Sequence, residues 1–218
     1  MNKKTIIISV IVLIILALTT VYLLYYFNYI PHKKYSNSYF GIDTYISDND
    51  EDNDGIDDQT DILEGAKKYV KTNPKYKSKY YGTGYPDDEY GVCTDVVANA
   101  LFNAGYDLME LVNEDVINNK KLYDSDAGDK KIDFRRVRNL KVYFANNAIE
   151  LTTDINKIEE WQGGDIVIFE KHIGIVSDNR NKKGIPFIIH HAYKSQRYYE
   201  EDILGHRDDI VGHYRMSK

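Results

Sequence analysis

Hydrophobic and polar positions divide the chain into three stretches. Thr5 through Phe27 is an almost unbroken apolar run without a charge. As a helix rising about 1.5 Å per residue it is about 35 Å long, enough to cross a hydrocarbon core of roughly 30 Å. Asn28 to Asp58 has little that can build a core and reads as a stalk. Periodicity starts after it. A helix is expected from about Thr60 to Val70, extending to residue 72. Val96, Val97, Ala100, Leu101 and Ala104 recur at the three-and-four spacing of a second helix, 93–104, with Gly105 as its stop. Val137, Leu140 and Phe144 mark a third over 134–147. Short apolar runs then follow: Asp165–Phe169, His172–Asp178 and, after the Asn181–Gly184 turn, Ile185–His191. They predict an antiparallel sheet built from residues 165–215, and the fold class is α+β, with helices packed on that sheet.

Three segments result: an anchor (1–30), an acidic linker (31–58) and a soluble domain (59–218). Lys3, Lys4 and the amino terminus flank one end of the apolar run, and Lys33 and Lys34 flank the other. This near balance tilts slightly towards a cytoplasmic N-terminus. The run is long for a cleaved signal peptide, and no clear small-residue cleavage site follows it. The expectation is a single-pass membrane protein whose C-terminal domain is extracytoplasmic. The net charge of −6 argues against nucleic acid or an anionic membrane surface as the main partner. With one cysteine, Cys93, the chain makes no internal disulfide, and no disulfide-linked partner is expected. No internal repeat is visible.

Within the linker, Asp50, Asp52, Asp54, Gly55, Asp58 and Asp61 fall at positions 1, 3, 5, 6, 9 and 12 of a calcium loop. Alternating carboxylates wrap a hard cation, and the glycine permits the sharp turn between them. The pattern resembles the aspartate-rich loops of dockerin and thrombospondin repeats. Asp61 stands where an intracellular EF-hand has glutamate, and Asp57 occupies a normally apolar position. A structural calcium is expected at Asp50, Asp52, Asp54, Asp58 and Asp61. The alternative is a solvated acidic linker whose last aspartates cap the following helix.

Cys93 opens the second helix, where unpaired N–H groups and the helix dipole favour a thiolate. A lone cysteine is otherwise a small buried apolar residue. His172 begins a strand on which His172, Gly174 and Val176 share one face, and Gly174 leaves room beside the imidazole for another element. The next strand ends at His190 and His191, so one hairpin carries histidines on both arms. A cysteine at a helix start, a histidine at a strand start and a third polar group on the next strand form the layout of a papain-like nucleophile, base and orienting residue. Cys93 with these histidines also invites a zinc reading, but the chain lacks a close-spaced Cys/His framework.

Gly91-Val92-Cys93-Thr94-Asp95-Val96-Val97, Ile132 through Leu140, Gly164-Asp165-Ile166-Val167, His172 through Asp178 and Gly212-His213-Tyr214-Arg215 together resemble the bacterial domain-of-unknown-function family 1287. The resemblance covers about Thr60 to Arg215. That family is placed with the NlpC-type papain-like cysteine peptidases, whose better-known members cut peptide stems of the bacterial cell wall. The resemblance implies Cys93 as nucleophile, His172 as general base and His190 as third residue, with His191 as the alternative. It implies a cell-wall peptide as substrate and no catalytic cofactor. Opposite strand faces separate His190 from His191, so only one can serve.

Arg135, Arg136 and Arg138 precede or begin the third helix and read first as a solvated or salt-bridged face, although a guanidinium such as that of Arg136 suits the carboxylate of an acidic peptide stem. Tyr80, Tyr81, Tyr85 and Tyr90 precede the cysteine; Tyr85 is the candidate for a substrate groove or oxyanion contact, in a chain with 20 tyrosines. Asp95 is expected to hydrogen-bond at the helix start. The leading expectation is a membrane-anchored cysteine peptidase or amidase. The competing one is a non-catalytic, calcium-stabilised wall-binding domain on the same fold, and acyl transfer to an amine is a third outcome of the same chemistry.

Overall fold

The computed structural model describes residues 2–216, and the chain divides into two units, Met1–Lys33 and Lys34–Lys218. In the first unit, α1 (Lys3–Tyr26) is capped by Asn2 and buries none of its side chains. It is long and apolar enough to cross a membrane. Thr19 and Thr20 return their hydroxyls to the carbonyls of Ile15 and Leu16 at 2.8 and 2.9 Å. These two hydroxyls are thus satisfied within the helix.

The second unit begins with a short 3-10 turn at Asn37–Phe40. Next come α2 (Asp58–Lys71), a parallel pair β1 (Lys75–Tyr76) and β2 (Tyr90–Gly91), α3 (Cys93–Asn103), α4 (Leu108–Asn118), the single turn α5 (Lys130–Asp133) and α6 (Val137–Asn147). The sheet comprises β3 (Ile149–Glu150), β4 (Ile166–Phe169), β5 (His172–Arg180), β6 (Pro186–Ile189), β7 (Glu200–Glu201) and β8 (Ile210–Arg215). Its order is β3-β8-β4-β5-β6-β7, and every pair is antiparallel. The α+β expectation and the expected helices are thus borne out, and α4 is an addition. Its spacing is present in the sequence at Leu108, Val112 and Val116, all buried.

Alternation along the strands creates two faces. Ile166, Ile168, Ile173, Ile175, Ile189 and Tyr214 join Val96, Val97, Leu101, Leu140 and Phe144 of the helices in the main core. Val167, Phe169, Val176 and Ile188 pack on the other face with Trp161, Ile185 and Leu204. The two central helices meet almost backbone to backbone, since a Cβ on Gly65 of α2 would lie 2.8 Å from the Ala100 carbonyl of α3.

Two buried polar centres lock the sheet. Asp165 accepts from Arg215 at 2.8 and 3.0 Å, from the Gln162 N–H at 2.8 Å and from Gln59 Nε2 at 2.9 Å, and lies 3.1 Å from His213 Nε2. His213 stacks on Trp161 at 3.8 Å between ring centres. Arg180, fully buried, donates to Asn37 Oδ1 at 2.5 Å and to the carbonyls of Ile158, Gly184 and Trp161. Removing one partner from such a centre leaves a buried charge or donor unsatisfied.

Arg180 also corrects the stalk. Tyr35 pairs with Arg180 as an isolated bridge, Asn37 and Ser47 are buried, and the unit boundary lies at residues 33 and 34. Residues 34–58 therefore wrap onto the domain through polar contacts, which is why their low hydrophobicity read as linker.

Candidate active site

Cys93 is the first residue of α3. Val92, at the N-cap, donates its N–H to Asp95 Oδ2 at 2.8 Å. Asp95 is fully buried and receives a two-pronged bond from Arg135, Nε to Oδ1 at 2.6 Å and Nη2 to Oδ2 at 2.9 Å. The third arm of Arg135 reaches the Lys79 carbonyl at 2.5 Å, and the Tyr81 ring covers the guanidinium at 4.9 Å. A buried ion pair thus holds the start of the cysteine helix, in agreement with the helix-end reading of Asp95. For Arg135 it is the salt-bridged side of the expected solvated or salt-bridged face that holds, with the pair buried. A cysteine-side glycine is also required here: a Cβ on Gly91 would lie 2.1 Å from the Tyr69 hydroxyl.

The Cys93 sulfur lies at the backbone N–H of Ile173, the residue after His172. Burial pushes the thiol up to about 11, against the opposing N–H groups of Ile173, Thr94 and Cys93 itself. The expected depressed thiolate is therefore corrected: loss of hydration outweighs the helix start, and the resting group is a neutral thiol. The structure brings Cys93 to Ile173 at the start of β5, on the helix face of the sheet, whereas the His172 ring lies on the opposite, Phe169 face, and no hydrogen bond joins the two side chains among the described residues.

His172 faces the side of the sheet that carries Phe169, its neighbour across β4, at 5.9 Å between ring centres. A Cβ on Gly174 would sit 2.6 Å from Ile188 Cγ2 and 3.2 Å from His190 Cβ, so the glycine admits β6 as expected. His172 Nε2 then lies 3.0 Å from His190 Nδ1, and His190 Nε2 lies 3.1 Å from Glu201 Oε2 on β7. All three residues are buried. Burial, followed by coupling to the His190 ring and the positive charge of Arg207, lowers His172 well below the usual imidazole range. Burial and then Arg207 lower His190 as well, against the Glu201 carboxylate.

This order fixes the protons. A carboxylate only accepts, so Glu201 takes the Nε2–H of His190. The Nδ1 of His190 is then a lone pair, which takes the Nε2–H of His172 and leaves the Nδ1 of His172 as a base. Geometry thus selects His190 as the histidine paired with His172. His191 instead packs between Tyr76 and Tyr199, at 5.2 and 5.0 Å, and its Nδ1 has no hydrogen-bond partner. Burial lowers it to about 4.

At His191 lies a cleft of about 630 Å³ whose lining includes Lys75, Tyr76, Lys77, Tyr90 and Lys194; Cys93, His172, His190 and Glu201 are not part of that lining. Its wall is aromatic and cationic in a chain of net negative charge. Tyr85 is not part of the lining: its ring packs on Phe134 at 4.9 Å and its hydroxyl donates to Asp107 at 2.8 Å. Arg136 is likewise committed, to Asp133 at 3.0 Å and Asp126 at 3.5 Å, so its fork is not free for a substrate. Both expectations are corrected.

Of the acidic residues, Asp50, Asp52 and Asp54 bring ligand oxygens within 4.8 Å of one another. Asp58 lies outside that convergent group and accepts from the Glu51 N–H at 2.8 Å and from the Tyr106 hydroxyl. Asp61 is buried, and burial first, then Asp54, Asp52 and Asp50, raises it to about 6.

Glu201 had no signal in the sequence, Arg135 none for its burial and Tyr69 none at all. Each lies in a polar context where nothing local marks burial; their partners are 11, 40 and 22 residues away in sequence.

A curated protein from Escherichia coli (strain K12), "Uncharacterized protein YijF", is 35% identical over 167 residues, covering 71% of this chain and 80% of that protein. No solved structure matches. The profile of the family described as "Domain of unknown function (DUF1287)" matches residues 63–216, a span that includes Cys93, His172, His190 and Glu201, and the chain belongs to that family.

Proposed function

We propose that this chain is a papain-like cysteine hydrolase, anchored by α1 with its domain outside the cytoplasm, that cleaves amide bonds in carboxylate-bearing cell-wall peptides. The observation that carries the reading is that the Cys93 sulfur at the start of α3 meets the backbone N–H of Ile173, the residue after His172, whose ring is paired with His190 and through it with Glu201. The Nδ1 of His172 takes the thiol proton as sulfur attacks the carbonyl, and the N–H groups at the start of α3 receive the developing oxyanion. The imidazolium returns its proton to the leaving amine, and water releases the acyl group. The reading requires substrate binding to bring the His172 ring, which rests on the Phe169 face of the sheet, to the thiol on the helix face. The lysines and tyrosines of the cleft at His191 support an acidic peptide as substrate.

The test is incubation of the full-length chain in detergent with purified cell wall. New amino termini that are missing with Cys93→Ala support the reading, and none with the active chain sinks it. A second reading, a wall-binding module on the same fold, is favoured by the thiol at about 11. It requires wall binding to survive Cys93→Ala with no cleavage by either form.

A further inference from the structure

We propose that the cleft at His191 is a carboxylate-binding subsite: Lys77 and Lys194 receive the anion, Tyr76 and Tyr90 flank the peptide that carries it, and His191 forms the floor. This deepens the proposed function and rests on it for calling the bound peptide a substrate. The cleft, about 630 Å³, falls within the roughly 300–1,000 Å³ usual for ligand sites, and no acidic residue lines it. The chain carries 34 acidic against 28 basic side chains, so three lysines gathered without a carboxylate run against its composition. Lys75 is shared with Glu89 at 3.4 Å. Lys77 lies 5.2 Å from the centre of the Tyr90 ring, and neither it nor Lys194 has a carboxylate partner among the described residues. The second observation is His191: the residue is 2% exposed, it lines the cleft, and its Nδ1 has no hydrogen-bond partner. A buried polar atom without a partner is destabilising, and a polar ligand seated on the ring relieves it.

The walls are built in advance of a ligand. Tyr199 donates its hydroxyl to the Pro74 carbonyl at 2.6 Å, which ties the segment after β6 to the turn between α2 and β1. Gln196 accepts from the Ala192 N–H at 2.6 Å and donates to the Tyr198 carbonyl at 2.8 Å, closing that segment on itself. Tyr76 pairs with Gly91 across β1 and β2 and meets the His191 ring edge-on at 5.2 Å. Such preorganisation lowers the entropy lost on binding. Tyr90 stands three residues before Cys93, so a peptide held against its ring lies beside the strand that leads into the cysteine helix. Two unpaired lysines and an imidazole that is neutral at pH 7 balance a monoanion better than a phosphate group, which brings about −1.5 to −2. The lining also lacks an arginine fork.

The test reads binding without cleavage. The full-length chain in detergent, carrying Cys93→Ala, is titrated with an acetylated triglutamate peptide and with its isosteric triglutamine. Triglutamate binds roughly 5-fold or more tightly than triglutamine, and added salt weakens it. Lys77→Gln and Lys194→Gln, both exposed changes, each weaken it about 2- to 5-fold and together about 10-fold. The control Lys121→Gln leaves binding unchanged, and the His191 imidazole resonances shift in the bound state. The proposal is overturned by equal binding of triglutamine, by full binding in the double lysine variant, by unmoved His191 resonances at saturation, or by tighter binding of an acetylated peptide whose only anionic side chain is one phosphoserine. Its failure is distinguishable from that of the hydrolase reading. Triglutamate binding with no wall cleavage by the active chain removes the hydrolase and keeps the subsite, whereas Cys93-dependent cleavage without triglutamate binding removes the subsite alone.

Discussion

His172 Nε2 lies 3.0 Å from His190 Nδ1, so the third residue of the array is a ring that must itself be oriented. Glu201, 3.1 Å from the far nitrogen of that ring, supplies the orientation. A carboxylate at the end of two imidazoles sets both tautomers without placing a charge next to the sulfur. The consequence is a base that stays neutral at rest.

Nitrogen-15 spectra of the imidazoles test this directly. At pH 7 His172 and His190 are expected as neutral rings protonated on Nε2, and Glu201→Gln should redistribute the tautomers. Turnover of a cleaved wall peptide should fall roughly 10²- to 10⁴-fold in kcat with KM little changed. A charged imidazole, or a His172 protonated on Nδ1 at pH 7, would sink the proton order.

Alkylation of Cys93 should be slow at pH 7 to 8 and climb towards about pH 11, the value to which burial pushes the thiol. Substitution of His172 by Ala should change this profile little in the free protein, because the two side chains share no hydrogen bond at rest. Rapid reaction below pH 8 that depends on His172 would instead mean a preformed ion pair in solution.

The Arg135–Asp95 pair should be strongly asymmetric to mutation. Arg135→Ala leaves Asp95 buried and unpaired and is expected to cost about 3–5 kcal/mol in urea unfolding. The double change to Met and Leu should recover much of that loss, since the pair's own net worth is small. An additive double variant would refute the coupling.

Acid should weaken the domain. His191 titrates at about 4 in the fold and at an ordinary 6.5 when unfolded, so the unfolded chain binds more protons between those values and stability is lost as pH falls through the window. The loss is about 2–3 kcal/mol at pH 4.5 from this residue alone. Asp61 acts in the opposite sense: held near 6 against 3.8, it withholds stability as pH rises through that range. Urea midpoints from pH 7 to 4.5 should therefore drop less in His191→Asn than in the parent. An equal drop would rule out His191 as the source.

Tyr69→Phe should be neutral or stabilising by up to about 1 kcal/mol, because its buried hydroxyl has no partner. Gly91→Ala should destabilise the parent and be partly rescued by Tyr69→Phe, since the hydroxyl is the atom it meets. Absence of rescue, read from thermal midpoints of the four proteins, would contradict the contact.

The sequence by itself determined the elements whose signals are local. A charge-free apolar run marks α1, three-and-four spacing marks α2, α3 and α6, and β-rich runs between turns mark β4, β5 and β6. It also placed Cys93 at a helix start and His172 at a strand start, because periodicity and breakers report backbone direction within a few residues. Only the tertiary structure decided what depends on distant partners. It chose His190 over His191 through the pairing of β5 with β6, and it recruited Glu201 from a two-residue strand no pattern marks. It buried Arg135 against Asp95 and drew residues 34–58 onto the sheet through Asn37 and Arg180. It also reversed the sign of the Cys93 shift. Helix-end electrostatics can be read from a sequence, but hydration is removed by everything that packs around the sulfur, and that is known only once the chain has folded.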